Sequence, residues 1–411
     1  MKKKVLVFFP ENLYPSQSGF HKRGMEMLWG WREQGCEITL ASSELTAFNK
    51  WTPESIEHLR AKYLSDFRLH RPTYTDHKFR DLLQKYHLRR SKHVPPLSAM
   101  HSPPGLRRWF TRQLGEVAPD IVMINYAYWD GLLNHRKFKS ITRVSETIDL
   151  LTLSLRMWRA LEKHLPPPPI EASAVSDEVL QEDFFEKLNL QADAEEFRVY
   201  DRYDYTIAIS RHDEELMRRN TQRTNVLYIP MTQEPCRLAN DYSGNALLTT
   251  GPNPFNLQGY FYFVKRVLPS VRRSVPDFRL QVTGYCCERV VGVEGVELSG
   301  FVTDLKPVYQ ASRFLVCPIF GGTGQQVKIV EAMAHGVPVV ALRQAAEKSP
   351  IRHGENGLVA NGAEEFAAHV TRLWNDPELC RRLGDNARDT VANEFSRARL
   401  VESLSRIVDA A

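Results

Sequence analysis

Long apolar runs are absent from this 411-residue sequence. No stretch reaches the roughly 18 residues of a membrane-spanning helix, which excludes an integral helical membrane protein. Lys2-Lys3-Lys4 precedes an apolar run from Val5 to Phe9, but the run stops at Pro10-Glu11. It is too short for a secretory signal core and about right for a buried first strand. Six cysteines form no CxxC pair and no zinc spacing. They are expected to be buried thiols in a reducing cytoplasm. No Asp-x-Asp closes a strand; the nearest approximation, Asp193-Ala194-Glu195, lies in an acidic run. No metal ion and no other cofactor are therefore expected. No repeat of fixed period appears beyond two similar halves.

With 43% hydrophobic and 25% charged residues, the composition is that of a soluble globular protein of two ordinary domains. The net charge of +5 conceals an asymmetry. From Ser43 to Gly115 there are fourteen Lys/Arg against six Asp/Glu. Such a segment calls for an anionic partner or is a solvated face. Its charges are interleaved with Phe67, Tyr74, Phe79, Tyr86, Trp109 and Phe110, the mix that suits lipid headgroups. Peripheral contact with the inner face of the plasma membrane is one expectation; aromatics packed inward under solvated charges is the other. No recognition motif accompanies the basic residues, so no nucleic-acid partner is expected.

The α/β rhythm predicts parallel sheets with helices on their faces. Strands are expected at Val5–Phe9, Glu37–Ala41, Asp120–Ile124, Ile141–Val144 and Tyr205–Ile209, with a helix near His21–Gln34. Residues 44–115 and 160–196 interrupt the pattern. The second interruption carries ten Asp/Glu against two Lys between Leu161 and Glu196 and suggests a mobile acidic flap. A linker is placed at Ile229–Asn245. A second series follows: strands at Ala246–Thr250, Arg279–Thr283, Val296–Leu298, Phe314–Pro318 and Val337–Ala341, and helices over Tyr260–Arg273 and Gln325–Ala334. Further helices are expected over Glu364–Asn375, Pro377–Asn393 and Arg397–Asp409. The domains are thus 1–232, with both insertions and the C-terminal helix 394–411, and 243–393.

The most informative segment is FGGTGQQVKIVEAMAHGVPVV, from Phe320 to Val340. A strand runs into a loop with three glycines and then into a helix. Glycines let backbone approach a ligand, and the free amides of a helix's first turn suit phosphate. Lys328 and Glu331, three apart, share one helix face. Lys328 can neutralise a diphosphate, and Glu331 can accept from the two hydroxyls of a ribose. A tight turn before a surface helix with an ion pair would also contain these residues. In the first half, Asn125-Tyr126, Glu146 and Asp149 stand at carboxyl ends of strands, where parallel folds place ligands. Glu146 or Asp149 could instead cap the next helix.

EAMAHGVPVVAL followed by HGENGLVA resembles the donor site of glycosyltransferase family 4, and GFHKRGMEMLWGWREQGCEITLASS resembles its first helix and second strand. DIVMINYAYWDGLL, AISRHDEEL and LSGFVTDLKPVYQASRFLVCP extend the resemblance. It implies a GT-B fold, two Rossmann-like α/β domains with parallel sheets facing across an interdomain cleft. It implies retaining transfer of a sugar, as from a UDP- or GDP-linked donor, to a glycan or lipid-linked acceptor of cell-surface polysaccharide synthesis. A nucleotide-sugar epimerase or a non-catalytic binding subunit of the same fold is the alternative. On the donor it places Gly19, Asn253, Asn256, Gly284, Gly322, Thr323, Gly324, Gln325, Lys328 and Glu331. On the acceptor side it places Ser18, His21, Tyr126 and Glu146, with Lys328, Asn125 and Asp149 near the reaction. The family's usual first glutamate is replaced by Thr323, and the loop Gly251–Gly259 lacks the family's Arg and Lys. Lys328 takes over the cationic duty, and no metal is implied.

Overall fold

A computed structural model describes residues 2–16, 18–45, 49–91 and 101–411. Parts of the basic segment, residues 46–48 and 92–100, lie outside the described residues. Two compact units emerge. The first comprises Met1–Thr152, Ala192–Thr232 and Arg397–Ala411, and the second Leu153–Gln191 and Gln233–Ser396.

The first unit holds β1 (Lys4–Phe8), β2 (Glu37–Ser43), β3 (Asp66–His70), β4 (Ile121–Asn125), β5 (Thr142–Thr147), β6 (Tyr205–Ala208) and β7 (Asn225–Tyr228). They form a parallel sheet in the order β3-β2-β1-β4-β5-β6-β7. Val5, Leu6, Val7 and Phe8 are buried, each contributing roughly 1.5–3 kcal/mol by leaving water. Because both faces of a parallel sheet are covered, this strand reads as a continuous apolar run. The helix Gly19–Glu33 follows, capped by the Ser18 hydroxyl, which accepts from the His21 amide at 3.3 Å. Gly30 on this helix has no side chain to fend off Leu400 and Leu404, so the last helix, Arg397–Val408, packs closely there.

Residues 44–115 do not stand outside the sheet. They supply β3, paired to β2 from Thr39 opposite Asp66 to Ser43 opposite His70, and the helices Pro53–Lys62, Tyr74–Ser91 and Pro104–Val117. Phe67 and Phe110 turn into the core, at 4.6 Å from Trp51 and 5.6 Å from Phe8. Trp109 packs 5.4 Å from His70, while Tyr74 and Tyr86 remain exposed. The aromatic set is therefore divided between core and solvent and does not form one lipid-facing surface. Among the described residues no helix is long and apolar enough to cross a membrane.

The second unit holds β8 (Ala246–Thr250), β9 (Leu280–Gly284), β10 (Val296–Leu298), β11 (Phe314–Cys317), β12 (Val339–Leu342) and β13 (Leu358–Ala360). Its parallel order is β10-β9-β8-β11-β12-β13. The stretch expected to be a loop up to Gly259 is largely helix. Asn253 caps the helix Pro254–Tyr262, its side chain accepting from the Asn256 amide, and proline sits in the first turn. Proline fits there because its missing N–H has no helical partner to lose.

The acidic segment is a packed part of the second unit, not a free flap. Val175, Val179, Leu180, Phe184 and Phe185 are buried. Gln258 donates to the Val179 carbonyl at 2.8 Å, Lys265 to that of Val175 at 2.7 Å and Arg266 to that of Leu180 at 2.9 Å. The Tyr262 hydroxyl donates to Glu182 at 2.6 Å. Most of the segment's acids face outward, Glu182 and the buried Glu196 excepted, while its apolar residues seal the helix Pro254–Tyr262.

Gly284 ends β9 at φ 89°, ψ −148°, and a Cβ there would lie 2.2 Å from the Thr250 carbonyl oxygen. Both the dihedral and the contact demand glycine. Gly284→Ala is expected to destabilise the second unit by about 2–3 kcal/mol. A urea midpoint equal to that of the parent would contradict this.

Candidate active site

In the second unit the chain runs from β8 to β9 and β10 on one side, then returns to β11 on the other. The order therefore reverses between β8 and β11, and ligands of open parallel sheets bind beyond the carboxyl ends at such a point. The loops after β8 and β11 flank it. The glycine loop turns through Gly322 and Gly324, at φ 88° and 76°. The following helix is Val327–Ala334, two residues shorter at its start than expected. The backbone between loop and helix is already engaged: the Gln326 amide donates to the Lys348 carbonyl and that of Ile329 to Gln326.

Lys328 reaches back across the reversal. Its ammonium donates to the Thr249 carbonyl of β8 at 2.9 Å and to the Asn256 side-chain oxygen. Among the described residues it has no carboxylate partner. Burial lowers its pKa, opposed by the neighbouring Cys317 and Cys286. An enclosed ammonium held only by neutral oxygens has its charge unmatched, and an incoming anion would match it. Asn256 is itself fixed. Its amide donates to the Gly251 carbonyl at 3.1 Å and to Asn253 at 2.7 Å. Asn253 is thus the cap that positions Asn256.

One turn further on, Glu331 accepts from the Tyr309 hydroxyl at 3.2 Å. The Tyr309 ring stacks on His335 with centroids 4.8 Å apart. Burial, then Glu331, pushes the phenol well up, so Tyr309 stays a neutral donor. Thr323 and Gln325 lie on the same loop as Gly322 and Gly324. Gly284 stands at the end of β9, opposite Thr250 of β8. A second lysine, Lys348, was not foreseen. It is buried and donates to the Gly322 carbonyl.

In the first unit the order reverses between β1 and β4, and Asn125 bridges it, donating to the Phe8 carbonyl at 2.9 Å. Among the described residues the buried Asn125 oxygen has no hydrogen-bond partner. Tyr126 follows at φ 66°, and burial, then Asp149, raises its phenol well above the ordinary range. Gly19 is exposed with open space where a Cβ would be. His21 is buried, 3.3 Å from Glu11.

Glu146, expected on the acceptor side, is fully enclosed and accepts from Arg23 at 3.0 Å, so one of its carboxylate oxygens faces a guanidinium. At the start of the helix Leu151–Glu162, Glu196 accepts from the Leu151 and Thr152 amides at 2.8 and 2.9 Å.

Two Rossmann-like parallel sheets of seven and six strands place the chain in the GT-B class of glycosyltransferase folds. Residues 244–376 match the family model described as glycosyl transferases group 1. The chain is 28% identical over 203 residues to EpsD of Bacillus subtilis (strain 168), a protein provisionally named a glycosyltransferase, covering 46% of this chain and 52% of that one. It is 30% identical over 121 residues to the lipopolysaccharide core biosynthesis glycosyltransferase LpsE of Rhizobium meliloti (strain 1021), covering 29% and 35%. Anabaena HepE, solved with UDP and glucose, shares the fold over 100% of both chains at a TM-score of 0.61 and 13% identity. The chain spans about half the length of the curated relatives it matches.

Proposed function

We propose that this protein is a retaining, metal-independent glycosyltransferase that moves a hexose from a UDP-linked donor to a glycan or lipid-linked acceptor of a cell-surface polysaccharide. The observation that carries the reading is Lys328, an enclosed ammonium without a carboxylate, beside Glu331 at the reversal between β8 and β11. The donor's diphosphate would match that charge, and Lys328 would hold the diphosphate as it departs, when its negative charge is greatest. Glu331 would accept from the ribose hydroxyls. UDP in HepE and the lipopolysaccharide role in the name of LpsE support this donor and this acceptor class. With attack on the face the diphosphate leaves, a leaving phosphate oxygen takes the acceptor's proton, and no separate base is needed.

Transfer from UDP-hexoses to an extracted glycan, unaffected by EDTA, is the direct test. Glu331→Gln is expected to weaken UDP binding by about 1–3 kcal/mol, the scale of a hydrogen bond to a charged group. Calorimetric titration with UDP checks it. Unchanged affinity would remove Glu331 from the ribose.

A further inference from the structure

A second cavity, of about 1040 Å³, lies wholly within the first unit, away from the β1–β4 reversal. Its wall comes from the helix Pro104–Val117, the segment 131–139 and the amino-terminal ends of β5, β6 and β7. That is the edge of the sheet opposite the strand ends carrying Asn125. The lining is rich in cations, and its acids are already committed. Asp204 holds Arg143 through contacts of 2.9 and 2.6 Å and also accepts from the Arg143 amide. Asp201 accepts from the amides of Gln222, Arg223 and Thr224, fixing the turn into β7. Arg202 is paired with Asp130, which also holds His135 at 2.8 Å.

Arg107, Arg136, Lys139 and Arg223 are left. Among the described residues none of the four has a carboxylate partner, and all four border the same cavity. Four like charges around one concavity repel one another, and a concave wall focuses their field on whatever enters. A single carboxylate would neutralise one of them. A group with several negative oxygens in a short span would answer several together, and guanidinium forks match phosphate in particular. Among the described residues of the wall, Tyr203 is buried and the partly exposed His135 ring is tied to Asp130, so neither offers the open stacking platform that single-stranded nucleic acid uses.

We propose that this cavity is a second anion site, for a clustered-phosphate group: a pyrophosphate or phosphodiester, on a soluble molecule or on a lipid headgroup. It does not depend on the donor reading, because every residue named belongs to the other unit.

Binding is measured in a Lys328→Ala background, which disables the proposed donor site. Pyrophosphate is titrated calorimetrically at low salt, and flotation is run with phosphatidylglycerol vesicles. Adding Arg136→Ala, Lys139→Ala and Arg223→Ala is expected to weaken binding on the order of tenfold or more, with an unchanged melting temperature because the three side chains are exposed. If the triple change lowers melting, Arg136→Ala and Arg223→Ala are compared singly. Loss of pyrophosphate binding assigns a soluble phosphate ligand; loss of flotation alone assigns a headgroup. In both cases 0.5 M salt should abolish the interaction, since screening then acts within a few ångströms. Absence of both interactions, or interactions indifferent to these substitutions, overturns the site. Normal sugar transfer by the triple variant with Lys328 intact would, alongside that result, leave the proposed function standing.

Discussion

Turnover is expected to fall on the order of 100- to 1000-fold when Lys328 is replaced by alanine, the scale of removing one preorganised group that meets developing charge. The ammonium is held by the Thr249 carbonyl and Asn256, so its position is set before any ligand arrives. Its effect should be larger on kcat than on KM, because the leaving diphosphate bears more charge than the bound donor. Folding should be little affected. The substitution strands two oxygens but also removes an enclosed, unmatched charge, and these effects oppose each other. A pH profile adds an independent reading. Burial lowers the Lys328 pKa, so with the free enzyme the alkaline loss of kcat/KM should begin below the usual lysine range. A kcat within threefold of the parent would take Lys328 out of the chemistry.

The cluster proposed as the donor side was legible because its residues are close in sequence. A strand, a glycine loop and a lysine and glutamate three apart declare a shared helix face without knowledge of the fold. Lys348 was not legible. It lies twenty residues beyond Lys328, and only the return of the chain through β12 brings it to the Gly322 carbonyl. Tyr309 was equally hidden, since its contact with Glu331 spans twenty-two residues. The helix Pro254–Tyr262 carried a signal that the presence of glycines masked: Asn253-Pro254 is a cap followed by a first-turn proline.

Three of the four edge strands, β3, β7 and β13, escaped for a different reason, whereas β10 was read correctly. β3 reads Asp-Phe-Arg-Leu-His and pairs only with β2. A half-covered edge tolerates charges that a central strand excludes, so its apolar signal is weak. β7 and β13 are edges as well, of four and three residues. The acidic segment failed as a flap because a charge count ignores which way side chains point. Most of its acids are solvated while Val179 and Phe184 are buried beneath them. Glu146 looked available because it closes a strand, yet its partner Arg23 is 123 residues earlier.

That partnership sets the other large expectation. Arg23 is wholly buried and makes contacts of 3.0 Å to Glu146, 2.8 Å to Glu26, 3.0 Å to the Pro230 carbonyl and 2.8 Å to that of Ile229. It ties the first helix to β5 and to the end of the first unit's second segment. Arg23→Met should destabilise that unit by about 3–5 kcal/mol, the cost of leaving a buried charge without its partner. Enclosure pushes the Glu146 carboxyl up to about 7, with Arg23 opposing and Glu26 adding to the rise. A carboxyl raised on folding stabilises the native state most below its unfolded pKa, near 4.5. That contribution is lost as pH rises through about 7. Relative to Glu146→Gln, which cannot ionise, the parent should therefore lose about 2 kcal/mol between pH 5 and pH 8. Without Arg23 the carboxyl has one less opponent to its protonation, so Arg23→Met should be more damaging at pH 8 than at pH 5. The double variant should recover part of the loss at pH 8, because the buried Glu146 charge is then no longer left without its guanidinium. Urea unfolding of the four proteins at both pH values decides it. A difference between parent and Glu146→Gln that stays flat from pH 5 to pH 8 would mean that Glu146 remains ionised beside Arg23 throughout.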